Sequence, residues 1–210
     1  MQPKRIGIIC ALEKELEPFL KALNKKSESS NAKFNFHSGN LFNRPMTLVQ
    51  CGVAKVNAAI ATQQLIEHFK CDLIILSGTA GALCPSLRIK DTVVPQVVYY
   101  HDVDDDYPNP SFKTMKVKTS KPVVQGGLAC GEFFIKGKQR KLIRKKLDVV
   151  AVDMESASVG HVCSLFDIPF IVVKSVTDCV KYDSVNDFFA NLGLASKSSF
   201  DIVADIMYNM

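Results

Sequence analysis

A single α/β domain, a three-layer α/β/α sandwich around a central mixed sheet, is predicted by three observations. Short apolar runs alternate with stretches of helical periodicity along the whole chain. Two of the runs, Asp72 to Ser77 and Ile168 to Val176, are apolar almost throughout, as strands buried on both faces are. No repeat, linker or low-complexity tract interrupts the alternation, and 210 residues fit one large domain, 1–210. With 47% hydrophobic and 22% charged residues, intrinsic disorder is excluded. Charges or prolines cut every apolar run short of the ~18 residues that a membrane span needs.

The elements follow in order. Ile6 to Ala11 reads as a first strand rather than a signal peptide core, because Glu13-Lys14-Glu15 follows at once and no small-residue cleavage site appears. Leu12, Leu16, Phe19, Leu20 and Leu23 then recur at helical spacing, which puts Glu13 and Glu15 at a strand-to-helix junction. Asn24 to Asn35 is polar and reads as a loop or hairpin approach, with strands near Phe34 to Ser38 and Met46 to Cys51. Val56 to Phe69 forms a second helix. The apolar strand at Ile74 is expected to end in a tight turn at Gly78-Thr79-Ala80-Gly81, which matches neither GxGxxG nor a Walker loop. Asp91 to His101 is strand, with an edge or bulge at Pro95. Asp102 to Pro122, rich in aspartate, proline and lysine, is an exposed excursion. Strand resumes at Val123 to Cys130, followed by helix at Lys136 to Leu147, strand at Val149 to Val152, helix at Met154 to Phe166, strand at Ile168 to Val176, and a helical tail from Asp187.

The net charge of +5 comes mostly from scattered lysines and does not argue for nucleic acid. The basic run Lys136 to Lys146 reads as a solvated helix face, since no aromatic residue lies within it to stack on bases. Seven cysteines without a CxxC pair read as reduced thiols of a cytoplasmic protein.

In such sheets, sites gather where strands enter loops. Polar residues there are Glu13 and Glu15, Gly52 and Lys55, Thr79, Glu132 with Phe134, Asp153-Met154-Glu155, and Ser175, Thr177 and Asp178. Carboxylates thus end three separate strands. Taken singly, each reads more readily as a helix cap or dipole partner than as a catalyst. Converging on one rim, they would repel one another unless one is protonated or each binds its own hydroxyl or water, an arrangement suited to acid and base catalysis.

Seven blocks occur in an order that resembles the purine nucleoside phosphorylase superfamily, most closely its 5′-methylthioadenosine/S-adenosylhomocysteine nucleosidase branch. They are Gly7 to Glu15, Cys51 to Ala59, Ser77 to Gly81, Tyr100 to Asp104, Gly131 to Ile135, Val152-Asp153-Met154-Glu155 and Ser175-Val176-Thr177-Asp178. The resemblance implies that Asp178 protonates purine N7 and that Glu15 activates or orients the attacking water. It further implies that Glu155 binds the ribose hydroxyls with Met154 packed on the sugar, and that Phe134 stacks on adenine while the Ile135 backbone reads its edge. Thr79, Ala80 and Val53 would line the pocket, Phe188 would close its 5′ side, and Thr177 belongs to the substrate-binding set. His101 is expected to be a structural hydrogen-bonding residue. No cofactor or metal is implied.

Three departures from the family pattern stand out: Lys174 replaces the usual arginine, Leu12 replaces a methionine on the purine side, and the stretch from Asp102 to Cys130 is shorter, so that one helix and part of a covering loop would be missing. A symmetric homodimer is expected through the Gly52 to Phe69 and Val97 to Asp102 surfaces. The loop Asp104 to Pro110, with Tyr107, would then leave the partner's 5′ pocket more open than usual. The leading function is hydrolysis of methylthioadenosine or adenosylhomocysteine to adenine. A phosphorylase is the alternative, although the pocket segments lack the arginines that a phosphate dianion needs. A non-catalytic nucleoside-binding protein is the third.

Overall fold

The computed structural model describes residues 3–104, 110–179, 181 and 185–210. Within them lie strands β1 (Ile6–Cys10), β2 (Asn24–Asn31), β3 (Phe34–Leu41), β4 (Arg44–Gln50), β5 (Leu73–Ala82) and β6 (Thr92–Val93). Strands β7 (Val97–Tyr100), β8 (Ser111–Lys113), β9 (Gly127–Cys130), β10 (Val149–Asp153) and β11 (Phe170–Asp178) complete one mixed sheet. Helices α1 (Glu13–Ala22) and α5 (Val185–Asn209) cover one face through Leu16, Phe19, Val203 and Ile206, while α2 (Lys55–Glu67) and α4 (Ser156–Leu165) cover the other through Ala61, Leu65, Val159 and Cys163. The expected sandwich is therefore present, with α3 (Lys138–Lys146) packed beside β10.

One register explains where a site can open. β5 pairs in parallel with β1 only as far as Ile9↔Leu76, whereas β11 accompanies it to Asp178↔Gly81 on the other edge. The free edge of β5 is taken up again only at Val152↔Gly81 and Ala151↔Ala82, where β10 arrives antiparallel. Between Leu76 and Gly81 the edge is released to side chains. This corrects the expected tight turn: Gly78 to Gly81 is strand, held straight by the β11 ladder.

Other expectations need adjusting. Asn24–Asn31 is an exposed edge strand despite its polar sequence, because the ladder to β3 outweighs weak local propensity. The run from Asp91 breaks into β6 and β7 around Pro95, which has no N–H to give to a ladder. Regular strand before Cys130 begins only at Gly127. Among the described residues of the excursion, β8 pairs with β7, and no helix is present. The loop that carries Tyr107 lies outside the described residues. No helix among those described is long and apolar enough to cross a membrane.

The excursion is tied to α5 by Asp205, which accepts bonds from the Thr119 and Ser120 hydroxyls and from the Ser120 amide. Those bonds hold its carboxyl down at about 2. Because this folded value lies below the unfolded value of ~3.9, the contribution is present above ~pH 4 and is lost as pH falls through 2. Protection of the Ser120 and Lys121 amides from hydrogen exchange, taken relative to the intrinsic rate at each pH, should therefore fall on acidification across that window, and Asp205→Asn should show the lower protection already at neutral pH.

Candidate active site

The released edge of β5 opens into a cavity of ≈ 280 Å³. Its lining includes the acidic side chains of Glu15, Asp153, Glu155 and Asp178 together with Phe134, Ile135, Met154 and Phe188. Thr79, Ala80 and Val53 complete the predicted set, so the structure brings together every predicted site residue except Thr177. Leu12, Phe133 and Phe189 also line the cavity, the two phenylalanines having carried no distinguishing sequence signal.

Thr177 is a correction. It is fully buried and lies behind the wall, its hydroxyl donating to Asp178 Oδ1 at 2.8 Å. A bulge between Val176 and Asp178 breaks the simple alternation of the strand and turns both side chains toward each other. Thr177 is thus connected to the cavity through Asp178.

Glu15 lies in the first turn of α1, just past the end of β1. Its Oε2 accepts the Ala11 and Leu12 amides, each at 3.0 Å, and its Oε1 accepts the Thr79 amide at 2.8 Å and the Thr79 hydroxyl at 2.7 Å. These four donors occupy the usual acceptor sites of a carboxylate. Only the hydroxyl can turn away without moving the main chain. Gly78 is glycine for the same reason: a Cβ there would lie 2.7 Å from Oε1.

Glu155 and Asp153 share one cation. Lys174 Nζ lies 3.0 Å from Glu155 Oε2 and 3.0 Å from Asp153 Oδ2, all three residues being buried. A lysine can replace the family's arginine here because a compact ammonium with three donors reaches two separate carboxylates, where no planar bidentate contact is made. Burial alone would depress the Lys174 ammonium, but Asp153, Glu155 and Glu15 outweigh it and hold the group well above the usual lysine range. Burial raises the Glu155 carboxyl against the pull of Lys174, with Asp153 and Glu15 adding to the rise. Asp153 also accepts the Ser156 amide and hydroxyl, fixing the start of α4. The other oxygen of Glu155 accepts the Ala54 amide at 3.2 Å. Ala54 holds φ 85° and ψ 165° to present that amide, a conformation that costs a side-chain-bearing residue roughly 1–3 kcal/mol.

Asp178 is paired with Arg140, a contact absent from the sequence reading, which took Lys136 to Lys146 as a solvated face. That reading holds for Lys141, Arg144 and Lys145 but fails for Arg140, which is buried. The signal was present in the spacing: Arg140, Ile143 and Leu147 fall three and four residues apart, so the inward stripe of α3 contains an arginine.

His101 has one ring nitrogen without a partner among the described residues, the buried Nε2, and the ring packs on Gly131, where a Cβ would lie 2.3 Å from it. The other ring nitrogen keeps a backbone hydrogen bond within His101, so the structural role expected of this residue combines that bond with packing on Gly131.

Phe134 meets Phe188 edge to face at 6.0 Å, giving the cavity two aromatic groups a little apart. No lysine or arginine lines the cavity among the described residues, because Lys174 and Arg140 both stand behind carboxylates.

The sequence pattern of the phosphorylase superfamily matches residues 5–207. This chain belongs to that superfamily. Within it, the chain is 34% identical over 220 aligned residues to the 5′-methylthioadenosine/S-adenosylhomocysteine nucleosidase of Staphylococcus aureus strain MRSA252, covering 94% of this chain and 96% of that protein. The fold is similar to the crystal structure of the nucleosidase of the same name from Neisseria meningitidis, in complex with methylthio-immucillin-A (TM-score 0.91, 28% identity, 99% of this chain and 100% of that one). It is equally similar to the S-adenosylhomocysteine nucleosidase of Streptococcus pyogenes, in complex with 5-methylthiotubericidin (TM-score 0.92, 28% identity, 100% and 98%). The near-complete coverage includes the segments that line the cavity as well as those of the sheet.

Gly78→Ala tests the packing argument. The added methyl must displace the Glu15 carboxylate, so turnover should fall by at least ~10-fold while the circular dichroism spectrum stays that of the parent, since positioning errors near 1 Å are costly in catalysis.

Proposed function

We infer that this protein hydrolyses the N-glycosidic bond of 5′-methylthioadenosine and S-adenosylhomocysteine, releasing adenine. The observation that carries the reading is the division of one cavity's lining between aromatic side chains and the acidic Glu15, Asp153, Glu155 and Asp178, with no cation on its wall among the described residues. The aromatic groups suit a base, and the acids suit a ribose and the proton transfers at its bond to the base.

The chemistry follows from that division. Breaking the bond between C1′ and the purine leaves positive charge on the sugar and negative charge on the base. Asp178 gives a proton to N7 as the base departs, and Glu15 orients a water at C1′ and takes its proton, the Thr79 hydroxyl turning aside. Each transfer contributes ~10²-fold or more. Glu155 binds the ribose hydroxyls, with Lys174 keeping its carboxylate in place, and Met154 packs on the sugar. Phe134 stacks on adenine beside the Ile135 backbone, Thr79, Ala80 and Val53 complete the wall, and Phe188 closes the 5′ side. Thr177 acts by orienting Asp178. No cofactor takes part.

Water is preferred over phosphate as the nucleophile because a dianion would meet four carboxylates and no lining arginine. Adenine release from 5′-methylthioadenosine should proceed at the same rate with and without phosphate, and Asp178→Asn and Glu15→Gln should each lower kcat by ~10²-fold or more with folding intact. A requirement for phosphate, with ribose-1-phosphate chemistry in the product, would assign the chain to the phosphorylases. Binding without turnover of either nucleoside would make it a binding protein.

One domain, residues 1–210, acting as a twofold homodimer in the cytoplasm completes the reading. Support for the dimer comes from α2, where Val56 is 67% exposed and Ile60 39%, beside the cavity residue Val53. Seven free thiols, five of them buried, suit a reducing compartment. Sedimentation should give twice the chain mass, and Val56→Glu should shift the protein toward monomer.

A further inference from the structure

Helix α3 sends one charged side chain inward. Arg140 is 2% exposed, while Lys141, Arg144 and Lys145 of the same helix face solvent. Its Nη2 donates to Asp178 Oδ2, and its Nη1 donates to the Ala82 carbonyl at 2.6 Å. The guanidinium is not part of the cavity wall but stands behind Asp178, which is. Room for it exists because residue 81 is glycine: a Cβ there would lie 2.8 Å from Asp178 Oδ2 and 3.1 Å from Arg140 Nη1. A buried arginine is a costly way to anchor a short helix, since desolvating the cation offsets much of what the pair contributes. An apolar side chain on that inward stripe, beside Ile143, would serve anchoring alone.

We propose that Arg140 is a positioning residue of the reaction: it orients the Asp178 carboxyl and compensates the negative charge left there when the proton passes to the departing base. The inference rests on the assignment of Asp178 as general acid. As the bond between C1′ and N9 breaks, its electron pair goes to the purine and the Asp178 proton forms the N7–H bond. The oxygen of water bonds to C1′, and the proton lost from that water goes to Glu15. Charge therefore moves from Glu15 to Asp178, and Asp178 becomes a carboxylate at a position only 1% exposed, where water cannot solvate it. Arg140 on Oδ2 and Thr177 on Oδ1 are in place to receive that charge before it forms. Arg140 thus matters in proportion to how much the leaving group needs a proton.

Leaving-group dependence supplies the test. Initial rates are compared on 5′-methylthioadenosine and on the same 5-methylthioriboside carrying 4-nitrophenolate, which departs as a stable anion, for the parent, Arg140→Met, Arg140→Lys and Asp178→Asn. Arg140→Met should lower kcat on the adenine nucleoside by ~10²-fold and on the nitrophenyl riboside at least ~10-fold less, with KM changed by under ~3-fold on both. Arg140→Lys, which keeps the charge but not the fork reaching both Ala82 and Asp178, should show the same split at smaller size. Should Arg140→Met not accumulate as folded protein, the lysine variant carries the comparison. In the Asp178→Asn background, Arg140→Lys should add no further selective loss. Equal losses on both substrates in the Arg140 variants, with a clear split in Asp178→Asn, would leave Arg140 as a structural anchor and overturn the proposal. Absence of a split in Asp178→Asn itself would instead overturn the assignment of the general acid.

Discussion

Four carboxylates on the wall of one small cavity repel one another, and the arrangement of the surrounding chain is governed by how each is held. Asp153 and Glu155 share the Lys174 ammonium, Asp178 has the Arg140 guanidinium, and Glu15 has main-chain amides with the Thr79 hydroxyl. Each solution takes its donors from a different place. Lys174 comes from the centre of β11, Arg140 from the inner face of a helix that is otherwise solvated, and the amides around Glu15 from a strand end and from the exposed edge of β5. Had one cation served all four, the carboxylates could not face the sugar and the base separately.

The sheet supplies the geometry for this. β5 runs past the end of β1, so its amides at that point have no strand partner, and an unpaired buried amide is costly. The Thr79 amide satisfies itself on the Glu15 carboxylate instead. The two glycines of β5 fit the same account: Gly78 makes room for Glu15, and Gly81 makes room for Asp178 with Arg140. Strain is accepted at Ala54 so that its amide can reach Glu155. Binding chemistry and strand pairing are in this way one set of hydrogen bonds.

Aromatic and acidic groups in one cavity also separate two electrostatic demands. In the proposed reaction Phe134 and Phe188 exclude water from the base, where Asp178 meets the negative charge that develops, while Glu15 and Glu155 meet the ribose, where positive charge develops. Keeping both cations behind carboxylates preserves that polarity. It is also what makes the cavity hospitable to a neutral nucleophile and a poor host for a dianion, within a superfamily whose name is taken from phosphorolysis.

The sequence by itself determined the fold class, the order of most elements and the identity of most cavity residues, because alternation of apolar runs and the ordered blocks around Glu15, Thr79, Glu155 and Asp178 are local signals. The long β5 was out of reach, since Gly78-Thr79-Ala80-Gly81 has the local character of a turn and only the β11 ladder makes it strand. Asn24 to Asn31 was hidden for a like reason, as an exposed edge strand needs no apolar alternation. The inward place of Arg140 was half legible, in its spacing from Ile143, but its partner 38 positions further along the chain was not. Which oxygen of which carboxylate each donor meets was decided by tertiary structure alone: pairing depends on distances between β5, β10, β11 and α3, and those are set by strand register and helix packing rather than by any one segment.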